Sequence, residues 1–214
     1  AGIIYVSATD LDWFPPVKAW ILRHTQAESV QKYLENFFVK YLGTNTSSEA
    51  GHTFDFLARN TNPVMSTSRV GVTASLCALL GELMVQLLPD TTNTGNNSNS
   101  NSSEKVAEIE VERLFLFAMT WSVGAMLDAA DRVKFDEYLR NLAGDDTDVM
   151  PAHRDSNDTV FDFFIDPDSL DWEMWEAPEW EYPNGNSSAN NSGSKLDFAN
   201  LLVPTVDSTR AIFL

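Results

Sequence analysis

From Leu114 to Leu127 the chain reads LFLFAMTWSVGAML, in which only Thr120 and Ser122 carry a polar side chain. A helix of that composition has no face fit for water and must be covered on all sides. Its apolar part falls short of the ~20 residues that a bilayer span needs, so the run reads as the central post of a helical body. Charge returns at Asp128, and from Asp131 the sequence DRVKFDEYLR is an amphipathic helix, with Asp131 as its expected cap, that stops before Gly144. The remaining elements must therefore surround a buried helix, and the fold class expected is mainly α.

Those elements can be read in order. Gly2 to Ala8 has the β-branched character of a strand. Pro15 and Pro16 suit the opening turn of a helix, where no amide donor is needed, and Val17, Trp20 and Ile21 then share a face. Thr25 and Glu28 have the spacing of a capping box. After them Val30, Tyr33, Leu34, Phe37, Phe38, Tyr41 and Leu42 recur at helical spacing, with Gly43 placed to end the helix. Phe54 to Ala58 reads as a helical turn, and a helix from Ser66 or Ser68 should run to Leu88, before Pro89. The tract TTNTGNNSNSNSS has nothing to bury, and residues 89–103 are expected to be a disordered insert. The helix that holds the central run should span Glu104 to Asp128. Asp145 to Asp158 is acidic and irregular; beyond it Phe161, Phe163 and Ile165, then Leu170, Trp172 and Met174, alternate about Pro167-Asp168 as a hairpin would.

Composition narrows the function. With 31 acidic and 14 basic residues the net charge is −17, which opposes binding to nucleic acid or to an anionic membrane. Cys77 is the single cysteine and sits in the apolar run LCALLGELMV, so it reads as a core residue and the chain as a cytosolic one. No secretory leader is visible. The phosphate-loop pattern GxxxxGK[ST] is missing, as is an acidic residue after an apolar strand to hold magnesium. His24, His52 and His153 are isolated, and Cys77 has no setting that would activate a thiolate. Asp166, Asp168, Asp171 and Glu173 crowd together without the spacing of a calcium loop, and they read as turn residues. Trp172, Trp175, Trp180 and Tyr182 read as packing aromatics. These residues give no enzyme.

Four stretches in order also resemble the dynein heavy chain family, with wording nearest the axonemal chains. VERLFLFAMTWSVGAMLDAADRVKFDEYLR resembles the helical lid of the second AAA+ module of the motor ring. GIIYVSATDLDWFPPVKAWI resembles the strand and helix that open that lid, and TVFDFFIDPDSLDWEMW with Glu181-Tyr182-Pro183 resembles the connector beyond it. LLVPTVDSTRAIFL resembles the entry to the third module. The resemblance implies a helical AAA+ lid subdomain over residues 1–144. It implies a connector over 145–214 that ends at the start of the next module; alternation within it adds a β-hairpin at about 159–176, and Asn/Ser-rich composition, outside the resemblance, adds a flexible loop at 184–195. It implies ATP or ADP with magnesium as cofactors of a parent motor, and none in this segment. Trp121 and Ser122, for which plain core packing is the alternative reading, and Leu202, Val203, Pro204 and Thr205, at the entry to the next module, would lie near nucleotide. AAA+ lids often supply a sensing arginine, yet Met119 to Gly124 contains none, which suits a module that holds nucleotide without turning it over.

The expected function is a non-catalytic segment of a ciliary or flagellar motor ring, covering nucleotide and relaying movement between modules. Its partners would be neighbouring AAA+ modules of the same chain, with microtubules and other dynein subunits met only through the parent. The expected location is the cytoplasm and the axonemal cytoskeleton. The alternative is a free-standing helical adaptor or scaffold that binds partner helices in an apolar groove.

Overall fold

A computed structural model describes residues 2, 4, 12–43, 53–66, 68–87, 107–144, 148–180 and 203–213. The expected strand at Gly2–Ala8, the insert at 89–103, the loop at 184–195 and His52 lie wholly or mostly outside the described residues. The chain divides into two compact units, residues 1–173 and 174–214.

The first unit is helical. Its elements are α1 (Phe14–His24), α2 (Glu28–Phe37) with a π-helical turn (Phe38–Leu42), α3 (Thr53–Asn60), α4 (Arg69–Leu87), α5 (Glu108–Ser122) and α6 (Ala129–Ala143). A 3-10 turn at Val160–Asp162 leads into β1 (Phe163–Ile165), which pairs with β2 (Trp172–Met174) in a two-stranded antiparallel sheet. Mainly α with a short hairpin is thus the fold class, as expected.

The post is α5. Leu114, Phe115, Leu116, Phe117, Ala118, Met119 and Thr120 are all fully buried, and the Thr120 hydroxyl is satisfied by the Leu116 carbonyl at 2.8 Å. Helices α2 and α4 flank it, as do β1 and the 160–162 turn. From α2 and its π-turn, Phe37, Phe38 and Tyr41 enclose the Phe115 ring at 5.0 to 5.9 Å, in edge-on, tilted and stacked arrangements. The helical spacing read from the sequence accounts for this face, since Val30, Leu34, Phe37, Phe38, Tyr41 and Leu42 are all buried. Gly43 ends it at φ 91°, a value that disfavours any side chain. Gly144 ends α6 in the same way, at φ 89°.

Helix α4 lies along the other side of α5 with Leu76, Leu80 and Met84 buried. Arg69–Gln86 is long and apolar enough to cross a bilayer, a property the sequence reading sought only in α5, and 44% of that stretch is buried within the unit. Its setting is that of a core helix beside the post.

Several boundaries differ from expectation. Thr25 and Glu28 do not form a capping box: α2 begins after Ala27, so Thr25 lies too far upstream. Thr25 Oγ1 instead accepts from the Ala27 amide, and Gln31 Nε2 donates to the Thr25 carbonyl. The cap of α6 is Asp128, whose carboxylate accepts from the Asp131 amide at 2.8 Å, and not Asp131. Helix α5 stops at Ser122, and Gly124–Met126 forms a 3-10 turn, so the helical run does not extend to Asp128. Phe161 lies in the 160–162 turn and Leu170 in the hairpin loop at φ 54°, so neither belongs to a strand. Residues 148–173, placed in the connector by the sequence reading, fall within the first compact unit.

In the second unit, described at 174–180 and 203–213, α7 (Val206–Phe213) follows Thr205, and Trp175 meets Phe213 edge-on at 5.2 Å.

Candidate functional site

Trp121 and Ser122 occupy the last turn of α5, where the post gives way to the elbow that leads into α6. Both are half-buried. The Ser122 hydroxyl is turned back onto its own helix and donates to the Ala118 carbonyl at 2.7 Å. Trp121 stands edge-on to Phe161 at 5.8 Å and tilted to Phe117 at 6.5 Å, and its indole N–H is buried without an acceptor.

Gly124 is required at this elbow by close approach. A Cβ there would lie 2.6 Å from the tip of the Phe161 ring and 2.8 Å from the Phe135 ring, inside contact distance of both. Arg132 locks the same turn from α6. Its Nε donates to the Leu127 carbonyl at 3.1 Å, its Nη2 to the Ala125 carbonyl at 3.2 Å, and its guanidinium lies 4.9 Å from the Phe161 ring centre. An arginine is therefore present just after the elbow, although Met119 to Gly124 contains none, and it is engaged in holding the backbone.

A second group of polar contacts fastens residues 148–173 to the helices. Arg113, on α5, donates through Nε to the Asp148 carbonyl at 2.7 Å and through Nη1 to the Leu170 carbonyl at 3.0 Å, and its Nη2 lies 3.4 Å from Asp171. Asp136, buried on α6, accepts from the Val160 amide at 2.7 Å and from Arg140 Nε at 2.9 Å. Arg140 Nη1 donates onward to the Pro151 carbonyl at 2.6 Å. Within the segment, Trp172 Nε1 donates to the Val149 carbonyl at 2.8 Å, and the Trp172 ring lies 6.3 Å from Phe117. Every one of these bonds has an ionised or buried partner, the kind that contributes most per bond.

Asp131 ties in the chain before α4. Lys134 Nζ lies 2.6 Å from its carboxylate and the Asn62 amide donates to it at 2.8 Å; the first contact and then the second hold its pKa below the ordinary aspartate range. Glu112, buried on α5, accepts from Lys40 and from the Tyr41 hydroxyl. Asp166 is held low by the amide and then the hydroxyl of Ser169, in the hairpin turn. Asp166 is thus occupied as a turn cap, and among the described residues no group of three or more His, Cys, Asp or Glu could hold a metal ion.

The remaining site residues fall in the second unit. Leu202 lies outside the described residues. Val203 is exposed and Pro204 half-buried, while Thr205 caps α7: its Oγ1 accepts from the Ser208 amide at 3.1 Å, and Ser208 Oγ accepts from the Thr205 amide at 2.8 Å. The six candidates thus belong to two separate units. Sequence reasoning missed Arg113, Arg132, Asp136 and Phe161; the only local signal was the i,i+4 spacing of Asp136 and Arg140.

An open apolar groove of about 450 Å³ runs between α1 and α4, lined by Trp13, Trp20, Ala74, Cys77 and Ala78 among others, with His24 and Glu82 on its polar side. Burial pushes the Cys77 thiol up to about 12, so it is no nucleophile. His24 lies tilted to Trp20 at 4.9 Å, and His153 Nδ1 lies 2.8 Å from the Asp158 carbonyl in an exposed loop.

Comparison with known proteins bears on the whole chain. The family model for the dynein heavy chain AAA lid domain matches residues 47–177. The dynein gamma chain of the flagellar outer arm of Chlamydomonas reinhardtii is 30% identical over 212 residues, 98% of this chain and 4% of the relative. Dynein axonemal heavy chain 2 of Mus musculus is 28% identical over 218 residues, 100% of this chain and 4% of the relative. Dynein axonemal heavy chain 5 of Rattus norvegicus is 29% identical over 219 residues, 100% of this chain and 5% of the relative. The chain spans about a twentieth or less of the length of these heavy chains. With a helical body around α5, a hairpin fastened to it, and a lid-domain match over most of that body, the chain belongs to the dynein heavy chain AAA lid family.

Proposed function

We propose that this chain is a non-catalytic lid and connector segment of an axonemal dynein motor ring, at the second AAA+ module and the approach to the third. In this reading the described residues between 12 and 173 move as one stiff body. The lid covers nucleotide bound by its own module, and the hairpin segment carries the resulting displacement toward the next. ATP or ADP with magnesium would be held by the parent, with microtubules reached only through it.

The observation that carries the reading is the fastening of residues 148–173 to the post by Arg113. One guanidinium binds backbone at both ends of the segment, at Asp148 and at Leu170, so the hairpin cannot shift without disturbing α5. A relay needs such a connection, since a packed body transmits force only where its parts have no independent freedom. Trp121 and Ser122, Val203, Pro204 and Thr205, and Leu202 remain the proposed nucleotide-proximal positions. No carboxylate or lysine of the elbow is arranged for phosphoryl transfer, so the segment would contribute position and not chemistry.

The test is Arg113→Met in the full-length heavy chain. Basal ATP turnover should persist, while its stimulation by microtubules falls several-fold. Undiminished stimulation in a folded variant would overturn the relay.

A further inference from the structure

The 148–173 segment meets the helical body at a second place, and there the contact is steric. Phe161 is almost fully buried, and its ring tip occupies the space that a side chain at position 124 would need. Around that ring stand Trp121 from the end of α5, Phe135 from α6 at 6.3 Å, and the Arg132 guanidinium. The ring cannot slide out along its own turn, because the Val160 amide is bonded to Asp136 and the Thr159 amide and hydroxyl to Asp162. The elbow is equally determined: the Val123 amide bonds to Met119, the Leu127 amide to Gly124, and Arg132 closes the turn over Ala125 and Leu127.

We propose that Phe161 is a positioning residue, a key seated on Gly124 through which the hairpin segment sets the α5–α6 elbow and with it the orientation of Trp121. This rests on the relay reading and adds the point where movement passes. Arg113 ties the hairpin to the middle of the post, whereas Phe161 engages the end where the post turns. Withdrawal of the 160–162 turn would remove the ring that separates Trp121 from Phe135 and leave Gly124 free to change its backbone. Entry of that turn forces the elbow into the conformation seen. Two packed arrangements of one aromatic cluster form the kind of discrete element that coupling requires. Trp121 suits such a role, because its indole N–H has no acceptor in this arrangement and so does not bind it to one orientation.

The test is a double-mutant cycle on the folded 214-residue chain, read by amide hydrogen exchange. In Gly124→Ala the new methyl displaces the Phe161 ring. Exchange should then speed up on the order of tenfold at the elbow amides of Val123 and Leu127, and also at the distant amides of Val160 and Asp162. Phe161→Leu removes the nearer of the two clashes and leaves the one with Phe135, so in the double variant both sets of amides should return part of the way toward the original rates. If Gly124→Ala does not fold, recovery of a folded chain by the added Phe161→Leu supports the key equally. Phe161→Leu alone should speed exchange at Val123 and Leu127 while leaving the α2 amides unchanged. Additive effects, a Gly124→Ala change confined to residues 123–127, or an elbow indifferent to Phe161→Leu would each overturn the proposal. The relay reading would still stand in those cases, because its own test is made on Arg113 and motor turnover.

Discussion

Arg113 donates from the buried post to the carbonyl of Leu170, which is the one non-glycine described residue at positive φ. The left-handed turn costs an ordinary side chain roughly 1–2 kcal/mol, so a bond that fixes the carbonyl beyond it offsets local strain. The same guanidinium reaches Asp148 and Asp171, and the side chain is 14% exposed. Leu170 thus closes the hairpin in a conformation its sequence does not favour, with help from a residue 57 positions earlier.

Removing that help should be felt. Arg113→Met keeps the aliphatic stem but loses charge-assisted bonds to two carbonyls, and we expect a loss of about 1.5–3 kcal/mol. Chemical denaturation should show a lower midpoint with an unchanged slope, and the indole signal of Trp172 should lose its protection first.

A pH effect follows from Asp131. Its pKa in the folded chain is held below the usual range, by Lys134 first and the Asn62 amide second. A depressed carboxyl contributes stability that is complete above its unfolded value and is lost as pH falls through the folded one. The acid limb of the stability profile should therefore steepen below the ordinary aspartate range, and Asp131→Asn should flatten it while lowering stability at neutral pH. Parallel acid limbs for the two proteins would show that another carboxylate dominates.

Trp121→Ala should destabilise by about 3 kcal/mol, the low end for a truncated core aromatic, because the ring is only half-buried. Its partners are Phe117 and Phe161. Trp180→Ala, at a position 39% exposed, should change the melt by less than about 0.5 kcal/mol. Equal effects at the two sites would mean that the elbow does not support the fold.

The thiol of Cys77 gives a probe of its buried setting. With its value raised to about 12, the thiolate fraction near pH 8 is on the order of 10⁻⁴, so a thiol reagent that enters the groove between α1 and α4 should find almost no reactive form. Labelling should be slow in the folded chain and immediate in denaturant.

What the sequence revealed was local. The buried face of α2, the closing glycines Gly43 and Gly144, and the burial of Leu114–Thr120 all follow from spacing along one helix. The capping errors at Thr25 and Asp131 are also local, and they arise because several nearby residues could serve and the helix start shifts by two or three positions. The site was less legible for a different reason. Arg113 finds Leu170 and Asp136 finds Val160 across long stretches of chain, and Gly124 matters because two phenyl rings arrive from elsewhere. No periodicity encodes such meetings. Phe161 looked like one beat of an alternating strand, since it and Phe163 are both buried, yet its ring serves the elbow and not the sheet.

The claim that the lid helices and residues 148–173 move as one body is tested most directly by a distance in the intact motor. Spin labels introduced through unnatural amino acids at exposed Glu108, at the start of α5, and exposed Ser156, in the segment, would report it. Measured in the full-length heavy chain with ADP and with a non-hydrolysable ATP analogue, the account predicts a single distance that is the same in both states. A distance that shifts or splits with the nucleotide would contradict it, because the hairpin would then move relative to the post that it is proposed to follow.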